Sequence, residues 1–575
     1  MTWFTESRTW ASGPWSLALR GDEFADIAFD GRVVLRSIRA VVRDRNWDTA
    51  PLVVDRVAAH ETTLTLHVRS EALGSSFRGV VRVEARADRL DVLCDLESEH
   101  PFATNRTGLV VLHPPHVAGA PLRVSHADGR VEQTEFPRAI SPHQPVFDIA
   151  GLTWLAGGLE VSTTFDGDAF EMEDQRNWTD ASFKTYSRPL DLPFPYDVAA
   201  GERVRQMVSL RVRRTSESTA MDAAPVGITL QAGGEFPHVA LGAASAPDPA
   251  PTFAPLGSHV LVELDLASPN WRAALDRSAS SGLPLDVRFV LDAENPDALT
   301  AGVAALGGRD VVRVAAFHQV SDARHVSDRE AVADLRAALA AAGLDIPVVG
   351  GSRSHFTELN RERHRIPNDL DGLTVTVTPL FHALGTEQLV ESLAMQRLVA
   401  LQSVDLAGGS PVHVGPITLR PRFNDVATGP QPGPTRADLA EGYGAEFTGV
   451  VDERQTAPEL AAWTIASAAA LGVPGTSSLA WFEEWGPRGI HSTPAADALA
   501  ALAPLEGGEL LWGDSPDGLV WAIGARTNGE TVLLAANLDH RERELTIETP
   551  AHEVIAVTLG AASFRRLTIT EEDPT

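Results

Sequence analysis

Apolar and polar residues alternate with a period of two through the first 215 residues, in short runs such as Val33-Val34-Leu35-Arg36-Ser37-Ile38, Leu64-Thr65-Leu66-His67-Val68 and Val80-Val81-Arg82-Val83-Glu84-Ala85. That period sends successive side chains to opposite faces of an extended chain, one toward a core and one toward water. Gly, Asp and Pro punctuate the runs. A Pro-rich stretch with Pro189, Pro193 and Pro195 precedes a last run, Arg203-Val204-Arg205-Gln206-Met207-Val208-Ser209-Leu210-Arg211-Val212. Residues 1–215 therefore read as an antiparallel β-sandwich. Residues 216–256 are dense in Ala, Pro and Gly, as in Ala244-Ser245-Ala246-Pro247-Asp248-Pro249-Ala250-Pro251, and read as a connecting segment with at most one strand.

From residue 257 onward the period changes. Apolar strand-like runs (Val260–Leu266, Val287–Leu291, Val311–Phe317, Pro347–Gly350, Leu373–Thr378, Val412–Leu419, Phe447–Val451, Thr476–Trp481) alternate with Ala/Leu-rich stretches of helical spacing, among them Asp328–Ala342 and Gln388–Leu401. Ser327 stands where an N-cap is needed and Gly343 where a C-cap is needed. Eight such repeats over 257–503 predict a (β/α)8 TIM-like barrel. A doubly wound nucleotide-binding sheet is set aside: no Gly-x-Gly-x-x-Gly follows a first strand, and there is no phosphate-binding P-loop. Short strands return over 504–575 (Leu519–Ile523, Thr531–Ala536, Glu544–Ile547). The expected fold is multidomain α/β plus β: an N-terminal antiparallel β-sandwich, a central (β/α)8 barrel and a small C-terminal β-sandwich.

Composition narrows the function classes. The chain has 575 residues, 44% apolar and 22% charged, with a formal charge of −29. Nucleic-acid binding needs a basic face that displaces counterions, and so does an anionic membrane surface; neither is expected as a partner. The single cysteine, Cys94, alternates with polar residues in Leu90-Asp91-Val92-Leu93-Cys94-Asp95-Leu96, which points it into a sheet core and leaves no disulfide framework or Cys-rich metal site. The N-terminus carries no basic stretch followed by an apolar run, and no apolar stretch is long enough to span a bilayer, so a cytoplasmic location is expected. Oligomeric state is left open.

In barrels, reacting groups stand at the C-terminal ends of strands and in the loops that follow. Counting the first run as strand 1, Glu358 follows strand 4, His382 follows strand 5, Arg422 and Asn424 follow strand 6, Asp452 and Glu453 follow strand 7, and Glu483 and Glu484 follow strand 8. Paired carboxylates at strand ends can serve as acid/base and nucleophile. Glu358 is the leading catalytic candidate, with Glu483 second and Asp452 in reserve. No Gly-x-Ser-x-Gly elbow and no His-Glu-x-x-His occurs, so neither a hydrolase-fold serine nor a zinc protease site is expected. His113 and His116 read as structural, and no metal or cofactor is expected.

One segment departs from every periodic pattern: Phe170-Glu171-Met172-Glu173-Asp174-Gln175-Arg176-Asn177-Trp178-Thr179-Asp180-Ala181-Ser182-Phe183-Lys184-Thr185-Tyr186. Lys184 is the only lysine in the chain; every other basic residue is arginine. A compact ammonium is not equivalent to a planar guanidinium, so its retention suggests a site that needs a point charge. Either the segment is a solvated, ion-paired loop or it offers Lys184, Arg176, Asn177 and Trp178 to a polar ligand such as a sugar. With Asn360, His382, Arg422 and Asn424 these make the expected substrate-binding set.

Taken with Val42-Arg43-Asp44-Arg45-Asn46-Trp47, Thr104-Asn105-Arg106-Thr107-Gly108, Phe356-Thr357-Glu358-Leu359-Asn360-Arg361 and Thr418-Leu419-Arg420-Pro421-Arg422-Phe423-Asn424, this segment resembles the bacterial D-apionate lactonase family. The resemblance spans the first domain and the barrel. It departs at Asp452-Glu453-Arg454-Gln455, where the family pattern has Asp-Pro-Arg-Gln, and at Glu483-Glu484, where one glutamate is expected. It implies hydrolysis of the sugar lactone D-apionolactone to D-apionate. A retaining glycoside hydrolase with a clan-A-like barrel is the alternative, although Thr357 stands where such barrels commonly place Asn before the acid. A non-catalytic sugar-binding protein is the third.

Overall fold

The structure is a computed structural model that describes residues 3–215, 227–318, 325–423, 426, 451–527 and 529–570. The alternating N-terminal runs form antiparallel strands from Arg8 to Arg214, all within one continuous sheet system of 18 strands. Their inward faces build a single apolar core that includes Phe24, Leu35, Ile38, Leu66, Val83, Cys94 and Phe170. Cys94 is buried as expected, and burial pushes its thiol up to about 12. The long strand Arg32–Asp44 lies centrally, paired with Glu23–Phe29 on one side and Phe102–Leu112 on the other. Its Ile38, Ala40 and Val42 enter the core, while Arg39, Val41 and Arg43 face the opposite way, toward a cleft described below.

The barrel forms, with one strand placed differently from the sequence reading. Its eight parallel strands are His238–Gly242, His259–Asp265, Leu285–Leu291, Val311–His318, Val349–Gly351, Gly372–Val377, Val412–Ile417 and Thr476–Glu483. The first pairs with the eighth, and a parallel bridge from Val314 to Val348 joins the fourth to the fifth. The first strand therefore comes from the supposed connecting segment, so the expected strands 1–6 become the second to seventh, while Thr476–Glu483 remains the eighth. The expected strand Phe447–Val451 lies outside the described residues except for Val451, which is not in a strand.

Residues 227–229 and 231–235 of the same segment also form strands. Gly227–Thr229 pairs with Arg543–Glu548, and Gln231–Glu235 with Glu509–Trp512. Such short strands carry no clear alternation, and their partners lie some 270–320 residues away, so nothing local announces them. They complete a five-stranded and a three-stranded sheet that enclose Ile228, Leu511, Leu533, Leu545 and Ile547.

Among the described residues the α-helices are α1 (Trp271–Ala279), α2 (Asp297–Ala304), α3 (Arg329–Ala342), α4 (Phe356–Glu362), α5 (Thr386–Ala407), α6 (Leu460–Leu471) and α7 (Pro494–Leu502). The N-cap of α3 is Asp328, one residue beyond the expected Ser327, with its carboxylate accepting from the Ala331 N–H; Gly343 closes the helix in the left-handed region as expected. Every residue of α6 is buried, because it packs between the barrel and the C-terminal sheet residues Trp521, Ile523 and Leu534. The N-terminal sheet sits along α4 and α5: Arg36 pairs with Glu391 at 2.7 Å, the Ile140 N–H donates to Gln402 at 2.7 Å, and Asn360 Nδ2 donates to Asn177 Oδ1 at 3.0 Å. Among the described residues, no helix is long and apolar enough to cross a membrane.

Candidate active site between sheet and barrel

The aperiodic segment is neither a solvated loop nor an irregular polar one. Phe170–Asp174 and Phe183–Tyr186 are strands of a buried antiparallel hairpin, joined through a 3₁₀ turn at Gln175–Trp178. Polar residues occupy buried positions because they pair with one another. Asp174 caps the turn and takes a bidentate fork from Arg176, at 2.8 and 2.7 Å. Lys184 and Glu173 are register partners across the hairpin and form an ion pair. Tyr186 donates to Glu171. This internal neutralisation hides the segment from any reading by apolar period.

The hairpin lies against the loop after the sixth barrel strand. Trp178 stacks on Phe381 with ring centroids 6.0 Å apart and meets His382 edge-on at 5.3 Å; His382 Nδ1 lies 2.5 Å from Asp180 Oδ2. Between them opens a cleft lined by Arg39, Val41, Arg43 and Arg106 from the sheet, by Asp180, Ser182 and Lys184 from the hairpin, and by His382 and Gln388 from the barrel side.

The electrostatics of this cleft follow from burial. Loss of water pushes the Lys184 ammonium down to about 8; Glu173 opposes that shift while Arg43 and Arg106 reinforce it. Burial, assisted by Lys184 and Arg43, holds His382 well below its ordinary value, so the imidazole is neutral at pH 7. Burial raises Asp180 against the pull of Lys184. Both shifts work against a fully charged Asp180–His382 pair.

The expected site residues divide. Lys184 and His382 line the cleft. Arg422 lines a smaller cleft at the barrel mouth with Arg353, Ser354, His355, Thr378, Pro421 and Phe423. There Glu263 pairs with both Arg353 and Arg422, and these arginines hold its carboxyl far below the ordinary range against the effect of burial. Phe381, 4.8 Å from the His355 ring, stands between the two clefts.

Glu358 follows the fifth barrel strand, not the fourth. It occupies the first turn of α4, where it accepts from Ser354 Oγ at 2.6 Å and the His355 N–H at 3.1 Å. These are helix-capping bonds. Glu483 accepts from the Ser245 N–H at 3.0 Å and pairs with Arg488 at 2.6 Å, tying the eighth strand to the first. Asp452 caps a 3₁₀ turn and holds Arg420 and Arg454, each at 2.8 Å; against the raising effect of burial, these bonds bring its carboxyl down to about 2. Neither Glu483 nor Asp452 lines either cleft.

Asp452-Glu453-Arg454 thus repeats the Asp-x-Arg fork of Asp174-Gln175-Arg176. Arg176 is consumed by that fork and by the carbonyls of Pro137, Arg138 and Ala139. Asn177 and Asn360 bond each other across the domain joint. Trp178 forms the aromatic wall, and Asn424 lies outside the described residues. If Asp452 serves structure alone, Asp452→Asn should cost stability, since removing one partner of a buried ion pair costs ~3–5 kcal/mol. It should leave kcat within about twofold, as denaturant unfolding beside a steady-state assay will read.

The expected site set did not include Asp180 as the partner of His382, or Arg43 and Arg106 on the sheet. The signal for the arginines was present, since both lie in stretches that carry the family resemblance, but no spacing relates them to the hairpin. Among the described residues, no group of three His, Cys, Asp or Glu side chains is placed to hold a metal ion.

Comparison with known proteins agrees with this layout. Residues 2–215 match the N-terminal domain of D-apionate lactonase, and residues 240–508 match its TIM barrel domain. The D-apionate lactonase of Brucella anthropi is 30% identical over 450 residues, which cover 72% of this chain and 73% of that one. Among solved structures, a GH30 endoxylanase from Clostridium papyrosolvens is 10% identical, with a TM-score of 0.38 over 60% of this chain and 100% of that one. A β-arabinopyranosidase is 11% identical, with a TM-score of 0.29 over 97% and 98%. The two domain matches and the 30% identical relative together show that this chain belongs to the D-apionate lactonase family.

Proposed function

We propose that the protein hydrolyses a sugar lactone, D-apionolactone to D-apionate, in the cleft between the N-terminal sheet and the barrel. The observation that carries this reading is the meeting, at that junction, of the chain's only lysine with a neutral His382 bonded to Asp180. Nδ1 of His382 faces Asp180, which leaves Nε2 to exchange a proton. In the reaction a water oxygen attacks the lactone carbonyl carbon while Nε2 takes its proton. The carbonyl electrons move onto oxygen, and the Lys184 ammonium, which has donors beyond the one given to Glu173, meets the oxyanion. The bond from the carbonyl carbon to the ring oxygen then breaks. The ring oxygen takes the proton from the imidazolium and leaves as a hydroxyl, and the carboxylic acid so formed gives its proton to solvent and departs as a carboxylate. Asp180 fixes the ring orientation, and Glu358 acts at a remove by holding Ser354 and His355 at the start of α4.

Assay of the purified protein on D-apionolactone beside a panel of aryl glycosides tests the reading. Turnover of the lactone alone is expected; turnover of a glycoside with an inert lactone would transfer the protein to the retaining glycosidases.

The pH dependence follows from the two cleft groups. His382 is already neutral in the acidic range, so no loss is expected between about pH 6 and 8. Above about 8 Lys184 loses its proton, and kcat should fall after subtraction of spontaneous hydrolysis. Stability should move the opposite way there. From about 8 to the ordinary lysine value of 10.5 the unfolded chain keeps a proton that the native chain has lost, so Lys184 adds stability as pH rises, at most about 3 kcal/mol. Concordant loss of activity and stability above pH 8 would mean that unfolding, not Lys184, shapes the profile.

A further inference from the structure

Arg43 and Arg106 are register partners on the adjacent antiparallel strands Arg32–Asp44 and Phe102–Leu112, and both line the cleft. Side chains directly opposite one another across such a pair stand close, and like charges there are destabilising unless something offsets them. Every other charged group in the wall has its own partner: Arg39 pairs with Asp22 at 3.0 Å, Glu23 with Arg36 at 2.8 Å, Lys184 with Glu173 and Asp180 with His382. Arg43 and Arg106 have none among the described residues. Their polar contacts are to backbone oxygens, Arg43 to Trp47 at 3.4 Å and Arg106 to Arg188 at 3.0 Å, and Arg106 Nε is buried with no acceptor.

Arg106 is held in place all the same. It lies over the Tyr186 ring at 3.6 Å and faces Trp47 at 5.1 Å. An irregularity in the strand between Thr104 and Arg106 sets its direction, as bulges beside binding sites do. A buried guanidinium (Arg106) and a half-buried one (Arg43), set opposite each other with donors to spare and no carboxylate of their own, make a receptor for an external anion. The reaction proposed above creates one in the same cleft, from the carbonyl beside Lys184.

We propose that Arg43 and Arg106 form a carboxylate-binding pair that holds the ring-opened sugar acid, so that the enzyme binds its product by charge and is inhibited by it. The pair rests on the lactone-hydrolysis reading only for the identity of the acid. The uncharged lactone carries no anion for the pair and gains less from it than the acid does. A neutral amide of the same acid, which keeps every hydroxyl, should also bind weakly.

Calorimetric titration of the full chain with D-apionate, D-apionamide and inorganic phosphate, beside product-inhibition kinetics, tests this. The wild type should bind the carboxylate at least ~10-fold more tightly than the amide, and Arg43→Gln should weaken the carboxylate ~10–100-fold while changing amide binding little. Arg43→Lys, which keeps the charge without the fork, should fall between them; circular dichroism and melting confirm that each variant is folded. An unchanged carboxylate-to-amide ratio in folded Arg43→Gln would overturn the proposal, as would binding of phosphate without binding of D-apionate. Lactone turnover with charge-independent product binding would sink the carboxylate pair alone. Charge-dependent binding of the acid without turnover would sink the hydrolysis reading alone.

Discussion

Lys184→Met is expected to lower kcat on the lactone by ~10²–10³, the usual cost of removing one donor to a developing oxyanion. The same change should cost ~3–5 kcal/mol of stability, because Glu173 is left buried without its ammonium. The two losses have different origins, and a second substitution separates them. Glu173→Gln added to Lys184→Met removes the stranded charge, so the double variant should regain most of the stability and none of the turnover. Recovery of both would reduce Lys184 to a structural counter-ion. Lys184→Arg sharpens the test. A third guanidinium beside Arg43 and Arg106 adds like charge and a longer, forked reach, so kcat should fall at least tenfold. Whatever activity remains should no longer decline above pH 8, since arginine keeps its proton. Wild-type turnover and wild-type melting in Lys184→Arg would show that the lone lysine has no role in the chemistry.

His382→Asn should lower kcat by ~10²–10⁴, the range for loss of a general base. Asparagine can still donate a hydrogen bond toward Asp180, so the carboxyl is not abandoned in the cleft wall, but it cannot carry a proton through the reaction. The ring contacts with Phe381 and Trp178 are lost, at centroid distances of 4.6 and 5.3 Å, and a modest drop in melting temperature should accompany the change. Asp180→Asn should act in the same direction and more weakly, because it frees the ring's orientation without removing the base. Combining the two should cost no more than His382→Asn alone, since groups acting as one unit are not additive. A full-activity His382→Asn would move the chemistry out of this cleft, and the barrel-mouth cleft around Arg353 and Arg422 would then be the place to look.

Much of the scaffold was legible along the chain. Period-two alternation in runs such as Val80–Ala85 marked the N-terminal strands, and the change to alternating strand and helical spacing near residue 257 marked the barrel. Cys94 and Gly343 took their expected places because each is decided by near neighbours: an alternation in one case, a helix end in the other. The oddity of Lys184 also marked a hairpin that lines the cleft between sheet and barrel. Each of these features is local, and local patterns survive in sequence.

Only the tertiary structure decided the rest. The first barrel strand, His238–Gly242, has five residues and partners at 259–261 and 478–483, so its identity as a strand exists only once the ring closes. That one strand moved Glu358 from the fourth strand to the fifth, and its bonds to Ser354 and His355 then showed a capping carboxylate. The cleft itself joins Asp180 to His382 across 202 positions and sets Arg43 opposite Arg106 across 63. Charges can be buried at such places because they neutralise one another in space, and burial in turn gives Lys184 and His382 their altered proton affinities. Side-chain identity is written residue by residue in the sequence; the proximity and dehydration that turn those side chains into a site belong to the fold.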